Sequence, residues 1–209
     1  MHRFYTSIIL LILLLTSSCK NKGITDMPSF CKWINQSSNG LTQTKNINDL
    51  KLAVKYLPPE YLAMKEAVDF NNNASPALYD SLLQLYKKNT TFILTISPEN
   101  SEGGDVMYRD VFDYKEYKQR VHDLNFDFTS YVSIESGEKL FPAELSNLEN
   151  TYSLSKERNI YVVFSDSVLL GSKDIDFIFN DEIFNTGISH FTFQTENLKN
   201  IPEITIYKN

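Results

Sequence analysis

The sequence predicts an α+β fold, with helices in the N-terminal half and an antiparallel, β-sandwich-like sheet in the C-terminal half. Three observations lead there. Apolar residues recur at helical spacing in segments between residues 61 and 124. Beyond residue 126, short alternating runs recur about every dozen residues. Turn chemistry separates the runs, as at Asn39-Gly40, Ser136-Gly137 and Asn185-Thr186-Gly187.

The elements follow in chain order. Leu50, Leu52, Val54 and Tyr56 fall on one face of a strand by strict alternation, and Pro58-Pro59 ends it. Tyr61 to Val68 predicts a short helix with proline in its first turn. In the next helix Ser75 is the cap and Pro76 opens the first turn. Leu78, Leu82 and Leu85, with Tyr79, Leu83 and Tyr86, make its apolar face, and Asn89 stops it. Thr91 to Ile96 is rich in β-formers, and Glu99 to Asp105, with Gly103-Gly104, reads as an exposed loop. Asp113 with Glu116 predicts a capped helix whose face holds Tyr114, Tyr117, Val121 and Leu124. A strand is expected from Phe126 to Ile134 with Phe126, Phe128, Val132 and Ile134 inward. Lys139 to Leu145 returns as an edge strand marked by Pro142. Asn159 to Ser165, Asp174 to Asn180, Ser189 to Thr195 and Ile204 to Tyr207 complete the strand set.

Composition narrows the class of protein. The 209 residues are 42% hydrophobic and 22% charged, with 26 acidic against 20 basic side chains, which excludes collagenous, disulfide-stapled and wholly disordered chains. A net charge of -6 argues against nucleic acid as a partner, since phosphate binding draws on clustered Lys and Arg.

The first twenty residues are the most informative. Arg3 precedes an unbroken apolar run from Ile8 to Leu15, followed by Thr16, Ser17, Ser18 and Cys19. A basic start, a short apolar stretch and small residues before a cut describe an export signal. The run is far shorter than the ~20 residues that a spanning helix needs. Leu15-Thr16-Ser17-Ser18-Cys19 resembles the lipobox of bacterial lipoproteins, departing from it in having Thr16 where that family usually has Leu. The resemblance implies that Cys19 receives a diacylglycerol thioether and becomes the new N-terminus. Residues 1-18 are then a lipoprotein signal peptide, 19-28 a flexible tether and 29-209 a single α+β domain. The mature chain keeps 191 of the 209 residues and, without Arg3, a net charge of -7. Such an acidic body gains nothing from an anionic leaflet, so the acyl chains alone would hold it. The Asn- and Lys-rich composition also resembles that of lipoproteins of Bacteroidota-type bacteria. Lys20-Asn21-Lys22 lacks the acidic residues of surface-export signals in that group, which implies an outer-membrane location facing the periplasm.

With Cys19 as the anchor, Cys31 is the one remaining thiol, and its apolar neighbours predict a small buried hydrophobe. Hydrolytic motifs are thin. There is no G-x-S-x-G elbow, and the S-x-x-K matches at Ser29-Lys32 and Ser153-Lys156 lack the K-T-G and S-D-N companions of penicillin-binding proteins. The mature histidines, His122 and His190, have no second His or Cys at metal-ligand spacing. Asp174, Asp176, Asp181 and Glu182 lie close in sequence but lack a calcium-loop pattern and read as a solvated face. No catalytic, cofactor or metal residue is therefore assigned, no cofactor is expected, and Cys19 is the single site residue. The expected function is that of a membrane-anchored envelope lipoprotein acting as a non-enzymatic binding or accessory protein, with an envelope protein or glycan as partner. Two alternatives stand beside it. One is a small extracytoplasmic hydrolase using His122 or His190, which needs a carboxylate and a hydroxyl in reach within one concavity. The other is a peptide-binding module, which needs an unpaired edge strand beside a groove.

Overall fold

A computed structural model describes residues 27–68, 75–100, 102–152, 154–169 and 171–204. The α+β class is as the sequence predicts, with two antiparallel sheets sharing one core. The signal peptide, Cys19 and most of the tether lie outside the described residues.

Helix α1 (Met27–Ile34) opens the described chain, so the last two residues assigned to the tether belong to a helix that buries Phe30 and Ile34. Strands β1 (Thr42–Ile47) and β2 (Leu50–Leu57) form a hairpin turning at Asn48, a non-glycine residue at φ 58°. Helices α2 (Pro59–Ala67) and α3 (Pro76–Tyr86) follow, then β3 (Asn89–Pro98). Ser75 accepts a hydrogen bond from the Leu78 amide, the expected cap. The buried side of α3 is narrower than expected: Tyr79 is buried with Leu82, Leu83 and Tyr86 partly so, while Leu78 and Leu85 face solvent.

Helix α4 (Tyr114–His122) starts on the Asp113 cap, whose carboxylate accepts from the Glu116 amide at 2.9 Å. Its inward residues are Tyr117, Arg120, Val121 and Leu124, and Tyr114 is exposed. The expected strand from Phe126 is not formed. Helical hydrogen bonding continues as a π turn (Asp123–Asp127) and a 3-10 turn (Phe128–Tyr131), leaving Phe126 74% exposed. Leu124 and Phe128, four apart, follow the helical period, so the Phe126/Phe128 alternation is misleading.

Strand β4 (Val132–Ser136) turns at Gly137, φ 63°, into β5 (Lys139–Pro142). The chain then crosses to the other sheet as β6 (Leu145–Leu148), instead of running on in one strand to Leu145. Strands β7 (Arg158–Ser165), β8 (Asp174–Asp181), β9 (Gly187–Gln194) and helix α5 (Thr195–Lys199) complete the order. Of the last predicted strand only Ile204 lies within the described residues. The sheets run β1-β2-β3-β7-β6 and β5-β4-β8-β9. Among the described residues no helix is long and apolar enough to cross a membrane.

Alternation aims one face of each sheet at the other. Leu52, Val54, Phe92, Leu94, Ile160, Val162 and Phe164 meet Ile134, Ile175, Phe177, Phe191 and Phe193. Phe92 sits at the centre, with ring centroids 5.3 to 6.2 Å from Tyr56, Phe164, Phe177 and Phe193. Truncating it removes contacts to both sheets at once. Phe92→Ala is expected to lower stability by about 3–5 kcal/mol, read from urea unfolding, whereas Phe112→Ala, at a fully solvated ring, is expected to leave the midpoint unchanged.

Candidate functional site

A groove of about 470 Å³ lies on the outer face of the five-stranded sheet, between the sheet and helices α2 and α3. Its floor follows from strand register. Leu145, Val163 and Thr91 line up across β6, β7 and β3, and Asn147 and Tyr161 form the next row. These alternate with the core residues on the same strands, so they must point outward. The wall comes from Leu62, Lys65 and Glu66, which share one face of α2 by their spacing, and from Tyr86 at the end of α3.

The groove is predominantly apolar; Thr91 and Asn147 add polar groups to its floor, and its helical wall carries two more polar features. Tyr86 donates its hydroxyl to Glu66, and its pKa is pushed up to about 12 by burial first and then by that carboxylate. Lys65 places its ammonium 5.9 Å from the centre of the Tyr161 ring, and among the described residues no carboxylate lies within ion-pair distance of it.

The sheet edges at β6 and β5 are both four residues long, which limits strand pairing there. The π and 3-10 turns that follow α4 lie against β6. β5 is four residues long and contains Pro142, which has no amide to donate. Of the two features that a peptide-binding module needs, the groove is present, while the edges at β6 and β5 are restricted by the adjacent turns and by Pro142.

A second cavity, about 440 Å³, lies at one end of the sandwich near Gly103-Gly104. Arg109 lines it, but its guanidinium is committed to Asp49 at 2.8 Å, Asp110 at 3.0 Å and the Phe184 carbonyl at 2.8 Å. Next to it, Arg120 is buried and donates only to carbonyls, those of Val106, Met107, Arg109 and Ile183, with the Phe184 ring 4.8 Å away. Arg158 pairs with Asp105 at 2.7 Å. Arg109 and Arg120 thus lock the loop after β3 to the β8–β9 connection, and Arg158 fastens the same loop to β7, a structural use of charge.

The histidines are exposed, and none of the three cavities described, including a third of about 320 Å³ beside Tyr117 and Tyr152, is lined by either. His190 Nδ1 lies 2.5 Å from Asp176 Oδ2 on the open face of the four-stranded sheet. Thr192 donates to the other Asp176 oxygen at 3.2 Å. A hydrolytic relay needs the hydroxyl on the imidazole, and here both groups converge on the carboxylate. His122 Nδ1 lies 3.1 Å from Asp127 and 3.9 Å from Asp123, a trio whose ligand atoms sit within 4.8 Å of one another and could hold a cation at the surface. The π turn brings Asp127 over His122, a juxtaposition that i, i+3 and i, i+4 spacing does not anticipate.

The other carboxylates do not converge. Asp181 is buried and accepts from the amides of Ile183, Phe184 and Thr186 and from the Thr186 hydroxyl, so it shapes a turn. Asp176 serves His190, and Asp174 is solvated. Cys31 is half-buried rather than enclosed, because α1 buries the Phe30 and Ile34 side of its surface. Cys19 lies outside the described residues.

No protein-family model, curated protein or solved structure matches the chain.

The groove carries a pH signature. The Tyr86 phenol has an ordinary value of 10.0, raised to about 12 in the folded chain. The hydroxyl's contribution is therefore complete below pH 10 and is lost as pH rises toward 12. Wild type is expected to exceed Tyr86→Phe in stability at neutral pH, and the two urea midpoints are expected to converge across that alkaline window.

Proposed function

We propose that this chain is a bacterial envelope lipoprotein, held by acyl chains on Cys19 at the outer membrane facing the periplasm, whose body binds another envelope component without catalysing a reaction. The feature that carries the anchor is the basic residue, apolar run and Leu15-Thr16-Ser17-Ser18-Cys19 sequence. The feature that carries the binding role is the groove between α2, α3 and the sheet. The arrangement of the histidines favours the binding role over the hydrolase alternative, since neither imidazole is beside a hydroxyl in a concavity.

Thermodynamics favours the anchor over adsorption. Each buried methylene contributes about 0.8 kcal/mol, so two or three chains on one cysteine hold stably where one is marginal. Cys19→Ser is expected to abolish incorporation of labelled palmitate and move the protein from the membrane to the soluble or signal-retaining fraction. Unchanged labelling and fractionation would reject the anchor. His122→Gln and His190→Gln are expected to alter neither fractionation nor groove occupancy, measured on the same preparations.

A further inference from the structure

We propose that the groove on the outer face of the five-stranded sheet binds a free long-chain fatty acid, its tail lying on Leu62, Leu145, Tyr161 and Val163 and its carboxylate meeting Lys65. The idea deepens the binding role above. It draws on the anchored reading only for how ligand and groove meet.

The lining selects this chemistry. An extended peptide brings an amide and a carbonyl with every residue, and each must be paired or pay for desolvation. The groove meets its occupant with outward side chains of β3, β7 and the edge strand β6; the π and 3-10 turns lie against β6, and β5 carries a proline. An acyl chain has no polar groups along its length to satisfy. The volume, about 470 Å³, falls in the range of small-ligand sites. One polar end remains to be met. Glu66 is engaged by the Tyr86 hydroxyl, whereas Lys65 rests on the Tyr161 ring with no carboxylate in ion-pair distance among the described residues. A lysine on a flexible stem can leave a ring face for a carboxylate.

Location agrees with a lipid source. Met27, where the described chain begins, packs against the same α2 and α3 cluster as Leu82, Leu83 and Tyr86. Seven residues lie between Cys19 and Met27, a reach of less than about 30 Å even when fully extended. The groove wall is thus tethered close to the bilayer, and α3 also exposes Leu78 and Leu85 there.

The test adds a free photoreactive palmitate analogue to the purified full chain, wild type and Cys19→Ser in parallel. Light-dependent adducts are expected on peptides from α2, α3, β6 and β7 in both chains. Unlabelled palmitate should compete, the uncharged hexadecanol less well, and each methylene removed from the competitor should weaken it roughly three- to fourfold. Lys65→Glu, at an exposed position that folding tolerates, and Val163→Trp, which fills the floor, should each cut labelling roughly tenfold. Their urea transitions report whether they fold. Adducts scattered over the surface, or indifferent to both substitutions, would overturn the proposal. Adducts confined to Cys19→Ser would overturn it in favour of the chain's own anchor as occupant, and competition by extended peptides but not by palmitate would make the ligand a peptide. Failure of the anchor itself registers separately, as a Cys19→Ser protein that fractionates like wild type.

Discussion

The aromatic contact at the middle of the sandwich is the constraint on which the rest depends. Phe92 belongs to the five-stranded sheet, yet two of its four ring neighbours, Phe177 and Phe193, come from the other sheet. Seating that ring fixes the inward phase of β3, and a one-residue slip would turn the whole strand over. The outward phase is fixed with it. Thr91 and, through pairing, Val163 and Tyr161 can only face the helices, so the floor of the groove is a by-product of how the core is filled.

A different interaction closes one end of the sandwich. Arg120 has no carboxylate among its hydrogen-bond partners and uses carbonyls of two loops instead. A buried cation held by backbone acceptors fixes the positions of those loops more narrowly than an apolar side chain could, because each acceptor has a direction. Arg109 and Arg158 add pairs around it. The latched end is polar and internally satisfied, while the groove is mainly apolar and its Lys65 has no carboxylate within ion-pair distance among the described residues.

Much of the fold was legible because its strands alternate strongly. Leu50 to Leu57 and Asp174 to Asp181 bury the residues that the sequence pattern points inward. β1 and β6 were not legible, since a polar edge strand such as Thr42–Ile47 needs no apolar face and Leu145–Leu148 is too short to show a period. Phe126 misled because two phenylalanines two apart imitate a strand wherever they stand. Arg120 went unnoticed, as a charged residue within a polar helix carries no sequence sign of burial. The groove was beyond sequence reading for a topological reason: its lining comes from five elements, α2, α3, β3, β6 and β7, that are brought together only by pairing across both halves of the chain.

The treatment of the strand edges would matter for a chain anchored as proposed above, since such molecules are confined to two dimensions. Proteins held on a membrane meet one another far more often than the same number in bulk solution, and every encounter tests for strand exchange. Here the π turn lies against β6, β5 ends in Pro142, and β1 lies beside β9 with Lys45 over the Phe191 ring. In a chain anchored in that way, the odd helical turn that displaces a predicted strand would work against edge-to-edge polymerisation under crowding.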